Sequence, residues 1–304
     1  MLDQRNSRNA YCRYGSEAIT NNYKFIFTNL TKKISIMNIC KKTSIIAVVN
    51  LSGIIGSDGK INKGINIDNT NPLLEKAFAT KNVKAVAINV NSPGGSPVQS
   101  ELIFQRIREL SIEKKIPVFT FAQDIAASGG YFILLAGDEI FAHNTSIVGS
   151  IGVISTGFGF EELIKKIGVT RRIYAQGKDK AVLDPFSPEN PDHIKIMNAV
   201  GKDIHESFKC LVRNSRGKKL KKNEDGLFNG AFWSGKTACD LGLVDAIGDM
   251  RGVMRGKFGD KVKFVNIAPK KRGLIGSLIS TKFDLVGQLV SKIEEKSYWS
   301  KFGL

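Results

Sequence analysis

The sequence predicts an α/β fold with a single folded domain set between two basic ends. Three observations point there. From Ser44 onward, short β-branched runs alternate with longer segments of helical period. Several runs end in turns built of glycine, proline and serine. The positive charge also lies mostly outside the alternating region.

The predicted strands, in order, are SIIAVVNLSGII (44–55), VKAVAINVN (83–91), IPVFTFAQ (116–123), EIFAH (139–143), SIVGSIGVIS (146–155) and VTRRIYA (169–175). Between them fall the helical candidates NPLLEKAFAT, SELIFQRIRELSIEKK, GGYFILLAG and FEELIKKIG. After Pro188 a long amphipathic segment, HIKIMNAVGKDIHESFKCLVRNSR, leads into a charged loop. A short helix from about Ser234 and a strand at 243–247 follow. The stretch KKRGLIGSLISTKFDLVGQLVSKIEEK then sets Leu274, Leu278, Leu285 and Leu289 at helical spacing behind a basic cluster, as in an appended amphipathic helix. This gives three regions: a basic, patternless extension at 1–43, an α/β domain at 44–268, and a basic amphipathic helix at 269–304.

Residues 1–44 carry eight Lys/Arg against Asp3 and Glu17, and residues 251–304 carry twelve against four acids. Of the formal charge of +17, only +3 is left for the middle of the chain. Two basic ends on a nearly neutral body suit peripheral contact with an anionic membrane surface. No zinc-finger spacing or aromatic RNP-like run accompanies the charge, so nucleic acid is not an expected partner. Cys12, Cys40, Cys210 and Cys239 form no Cys-x-x-Cys pair, which argues against a zinc site or a disulfide framework and for a reducing compartment. The apolar stretch at 44–56 is interrupted by Asn50 and Ser52 and falls short of the roughly 20 residues of a spanning helix. The expected location is the cytoplasm, at most peripheral to the inner membrane.

Two glycine-bearing turns carry the chemistry. In NVNSPGGSPVQS (89–100), Pro93 fixes its own φ, and Gly94 and Gly95 permit backbone geometry closed to other residues, so their amides can face a cleft at a helix start. In DIAASGGYFILLAG, Ser128 follows a strand and opens a helix, as a nucleophile elbow requires. There the Gly129 amide would face the attacked carbonyl, and small neighbours would leave room for a substrate backbone. The competing reading of Ser128 is an ordinary helix N-cap.

A serine nucleophile needs a base. His143, His193 and His205 supply a Ser-His-Asp arrangement poorly. The loop YAQGKDKAVLDPF (174–186) offers lysines beside an apolar run, where burial would favour the neutral amine that can accept a proton.

The motifs VNSPGG (90–95), AASGGY (126–131), GSIGVI (149–154), GKDKAVLDPFSP (177–188) and FNGAFWSGKTACDLGLVDAIGD (228–249), in that order, resemble the signal peptide peptidase family of the SppA/SohB type. The resemblance runs from about Ile45 to Phe264. It implies a Clp protease/crotonase-like spiral of ββα units and a Ser-Lys dyad. The family nucleophile falls on Ser128 and the lysine on Lys180 rather than Lys178, while Gly94 and Gly129, beside Gly95, fall at the oxyanion and substrate positions. An acidic residue common after that lysine is here Ala181. The expected activity is cleavage of short apolar peptides, such as signal-peptide or membrane-protein fragments, through an acyl-enzyme. No metal or other cofactor is expected, and several chains should associate into a homo-oligomeric ring. A crotonase-like acyl-CoA enzyme and a non-catalytic membrane scaffold are the alternatives on the same fold.

Overall fold

The computed structural model describes residues 44–56, 64–221, 223–268 and 296–303. The expected extension at 1–43 and most of the expected helix at 269–304 lie outside the described residues.

Eight strands form one sheet: β1 (Ile45–Ser52), β2 (Val83–Ser92), β3 (Val118–Ala127), β4 (Glu139–Ala142), β5 (Ile147–Gly149), β6 (Phe232–Ser234), β7 (Ala246–Ile247) and β8 (Lys263–Ile267). All neighbouring pairs are parallel except β5 with β6. Helices return the chain between the long strands: α1 (Ile67–Phe78), α2 (Pro97–Lys114) and α3 (Gly129–Leu134). After α4 (Glu161–Lys166) come the long α5 (Pro191–Arg216) and three shorter helices, α6 (Glu224–Leu227), α7 (Gly235–Asp240) and α8 (Met250–Phe258). The fold is therefore α/β, as the alternating pattern predicts.

β3 belongs to two arrays. Phe119–Ala122 pair with β4, which leads on to β7, whereas Ile125–Ala127 pair with β5, which leads on to β6. Between the two sets Gln123 and Asp124 are exposed, which marks the bend. β2 bends in step, because its register against β3 shifts between Val90 and Ser92. The Asn91 side chain bridges the two irregularities, donating to Asp124 Oδ2 at 2.9 Å and accepting the Ile125 N–H at 3.2 Å. It thereby satisfies the Ile125 N–H, a backbone donor at the bend.

Each sheet face is covered. Val49, Val86, Ile88 and Val90 pack against Leu74 of α1, Ile103 and Ile107 of α2, Tyr131 of α3 and Phe208 of α5. On the other face Ile46, Val48, Phe119 and Phe141 lie under Met254 of α8. Burial on both faces explains the near-continuous apolar runs of β1 and β2. The β8 strand is an element that the alternating pattern did not reveal. The expected strand at 169–175 is absent: these residues are exposed coil, with no ladder partner among the described residues. The run at 146–155 contributes only Ile147–Gly149.

The C-terminal end of α5 is fixed by a buried ion pair. Arg216, its side chain 2% exposed, meets both carboxylate oxygens of Asp245 at 2.9 and 3.1 Å and donates Nε to the Gly242 carbonyl. Asp245 in turn accepts the backbone N–H of Ile140 in β4. Burial would raise the Asp245 carboxyl, but hydrogen bonds from Arg216 and Lys219 outweigh it and hold the group below its ordinary value. Arg216→Ala is expected to lower unfolding stability by about 3–5 kcal/mol in a denaturant titration, the range for stripping one partner from a buried pair. The folded carboxyl lies below the free-chain value of 3.8, so its contribution is complete above that pH and fades as pH falls through the folded value. The stability gap between wild type and Asp245→Asn should therefore be full at pH 7 and close as the titration is carried below about pH 4.

Candidate active site

The two bent strands end side by side. β2 runs into Pro93, Gly94 and Gly95, and β3 runs into Ser128 and the first turn of α3. A Cβ on Gly94 would lie 2.8 Å from Ser128 Cβ and 3.0 Å from the Gly129 nitrogen. One on Gly129 would collide with Ser100 Oγ, with the Gly95 nitrogen at 3.4 Å. The structure thus brings Gly94, Gly95, Ser128 and Gly129 to one place. The small residues around Ser128 also serve packing, since a Cβ on Gly130 would approach the Ser92 carbonyl to 2.6 Å.

Ser128 has φ 52° and ψ −120°, a conformation that L-residues rarely adopt and that costs of order 1–3 kcal/mol. It is not acting as an N-cap: its side chain makes no capping hydrogen bond to α3. The turn is pinned from outside instead. The Ser128 N–H donates to the Gly149 carbonyl at 2.8 Å, and the Ser150 N–H donates to Ala231, so the GSIG stretch at 149–152 supports the elbow from β5. Ser150 also has a positive φ of 54°. A strained, half-buried hydroxyl that performs no structural duty fits a nucleophile better than a cap.

The backbone donors differ in their engagement. The Gly94 N–H donates to Ser92 Oγ at 3.2 Å. The Gly94 carbonyl accepts the Ile55 N–H at 2.8 Å, while the Ser96 N–H donates to the Ile55 carbonyl. The Gly95 and Gly129 amides have no protein acceptor among the described residues. Both are uncommitted donors beside Ser128, of the kind that can hold an oxyanion.

Lys180 is placed differently from the expectation. It lies in an arm spanning 153–190, where nearly every residue is exposed or half-exposed, and the GKDK stretch is a turn closed by the Lys180 N–H on Gly177 O. The desolvation expected for the base is not supplied by the chain itself: Lys180 is exposed, and the side chain makes no hydrogen bond to Ser128. The reason is that the apolar run after it does not enter the core. The arm folds on itself through Phe160 and Phe186, 5.6 Å between centroids, and through Arg171 with Asp184 at 3.3 Å. It leaves Tyr174 92%, Phe158 79% and Ile154 74% exposed.

The histidines lie elsewhere. His143 is exposed after β4, His193 Nδ1 accepts the Leu183 N–H at 3.3 Å, and His205 Nε2 lies 3.2 Å from the Ile151 carbonyl. Burial holds His205 below its ordinary value. Among the described residues no group of three His, Cys, Asp or Glu side chains could hold a metal ion. Ser92 and Asn91 were not singled out by sequence reasoning. The available signal was a polar pair closing an otherwise apolar strand immediately before the SPGG turn.

The family model for peptidase family S49 matches residues 111–257. The putative protease slr0021 of Synechocystis sp. is 31% identical over 240 residues, covering 75% of this chain and 84% of that protein. Protease 4 of Haemophilus influenzae is 35% identical over 251 residues, 81% of this chain and 40% of its own length. The Na(+)/H(+) antiporter NhaA of Brucella abortus is 48% identical over 273 residues, 85% of this chain. The chain spans only 37% of that Brucella protein's length. No helix among the described residues is long and apolar enough to cross a membrane. A solved membrane-bound stomatin-specific protease aligns with 75% of this chain at 18% identity and a TM-score of 0.46, too slight a likeness to bear on the site.

The strain at residue 128 is directly measurable. Glycine tolerates positive φ, so Ser128→Gly is expected to raise unfolding stability by about 1 kcal/mol, whereas Ser128→Ala keeps the strain and should not. Equal destabilisation by both variants in thermal melts would mean that the hydroxyl is structural after all.

Proposed function

The chain belongs to peptidase family S49, and from that premise we propose that it is a serine endopeptidase in which Ser128 attacks the peptide carbonyl and Lys180 takes its proton. The observation that carries the reading is the strained elbow at Ser128 set against the Gly94–Gly95 turn, with the hydroxyl released from any capping role. On this reading the tetrahedral oxyanion is held by backbone amides of the two turns, with Gly129 next to the nucleophile and Gly94 or Gly95 opposite. Collapse expels the amine, which takes the proton from Lys180. Water, deprotonated by the same lysine, then hydrolyses the acyl-enzyme ester.

The substrates proposed are short apolar peptides of the kind released from signal sequences and membrane proteins. An extended peptide must reach Ser128 between the two glycine turns, where side chains are lacking and a backbone can approach closely.

The exposed arm bears on the base. An ammonium in water keeps its proton at neutral pH and is a poor base, and burial is what favours the neutral amine. Association of copies through the apolar arm would supply that burial, because exposed apolar patches of this kind mark interaction surfaces. We therefore place the active form in a homo-oligomer in which the arm is covered. The basic ends remain suited to an anionic membrane surface, and binding of the full chain to phosphatidylglycerol vesicles, lost at high salt, would report that contact.

A peptide-library digest with wild type and Ser128→Ala side by side is the deciding experiment. Wild type should cut and react with serine-directed acylating probes, and Ser128→Ala should do neither; cutting by the variant would remove Ser128 from the mechanism. Lys180→Ala should lose turnover by at least a thousandfold with an unchanged melting temperature, while Lys178→Ala keeps most of it. The reverse result would assign the base to Lys178.

A further inference from the structure

Ser92 touches both halves of the site. It is fully buried at the end of β2. Its Oγ accepts the Gly94 N–H at 3.2 Å, and its carbonyl and Cβ lie against Gly130, two residues past Ser128. A Cβ on Gly94 would lie 2.8 Å from Ser128 Cβ, so the two turns meet there. A buried hydroxyl is costly unless it is bonded, and alanine would fill nearly the same space, so packing alone does not account for serine here.

The bond spans two residues, from Ser92 Oγ to Gly94 N, and encloses Pro93, whose φ the ring fixes. Gly94, with φ 109° and no side chain, would otherwise leave the Pro93–Gly94 peptide plane free to rotate. The orientation of that plane decides where the Gly94 N–H points, and an oxyanion donor helps only when it is already aimed.

We propose that Ser92 is a positioning residue of the oxyanion hole: its hydroxyl accepts the Gly94 N–H and so fixes the Pro93–Gly94 peptide plane, and the tetrahedral oxyanion joins it as a second acceptor for that amide without turning the plane. Ser92 makes no contact with the reacting atoms. The inference rests on the peptidase reading above and deepens it.

The test compares wild type, Ser92→Ala and Ser92→Cys. With a peptide that wild type cuts, Ser92→Ala should lose about tenfold to a hundredfold in kcat with KM within twofold, less than the loss from deleting an oxyanion donor outright. A peptide boronate, which mimics the tetrahedral state, should weaken by the same factor as kcat, and Ser92→Cys should recover part of both because a thiol accepts weakly. Hydrogen exchange at the Gly94 amide should quicken in Ser92→Ala, a readout that needs no turnover. Unchanged kcat with unchanged exchange would overturn the proposal, as would a rise in kcat, which would make the hydroxyl a plug. A kcat loss matched by a collapse of the melting temperature and by an equal rise in KM would also overturn it, by making Ser92 merely structural. Absence of peptidase activity in wild type would instead sink the peptidase reading, and the Gly94 exchange would still decide what Ser92 does to the loop.

Discussion

The site depends on two strands bending together. A straight parallel pair would deliver the NSPGG and IAASGG turns to the same end of the sheet but hold them apart at the strand spacing. The register shift in β2 and the exposed Gln123–Asp124 corner in β3 turn both ends, and Asn91 ties the corners to each other. The glycines then become obligatory. A Cβ on Gly94 would lie 2.8 Å from Ser128 Cβ and push the turns apart, and one on Gly95 would run into the Ile55 carbonyl. The same bend lets β3 pair with both β4 and β5, and so allows the Gly149 carbonyl to anchor the Ser128 amide.

Legibility followed the range of the interactions. Ser128 and the glycines could be read from the chain because their constraints are local: a tight turn needs small residues, and a strand-to-helix hydroxyl stands out between apolar runs. The α/β class was legible for the same reason, since period-2 and period-3.6 patterns are written within each element. The Asn91 bridge and the Ser92–Gly94 bond were not. Each acquires its meaning from a register shift, and a shift exists only once two strands are paired.

Lys180 shows the opposite failure. The apolar residues around GKDK suggested burial, yet apolar content states only that a surface seeks cover and does not say whose. In this chain Phe160 and Phe186 satisfy part of that demand within the arm, and Ile154, Phe158 and Tyr174 stay in solvent. VTRRIYA departs from the strand expectation on the same ground: its β-branched residues suit a strand, but among the described residues no neighbouring strand offers it a ladder.

The result is a division between a buried half and an arm whose apolar groups lack cover. The nucleophile, its supporting carbonyls and the backbone donors sit in a core whose conformation is over-determined, which is how a residue at φ 52° can be held at all. The proposed base sits outside that core, on a segment whose largest apolar groups are exposed. A serine hydroxyl without a neutral amine beside it is a weak nucleophile, and an amine in water is protonated at neutral pH. The proposal that copies cover the arm therefore ties hydrolysis to assembly: the elbow and the amide cradle are formed within one chain, and what assembly would add is cover for the segment that carries Lys180.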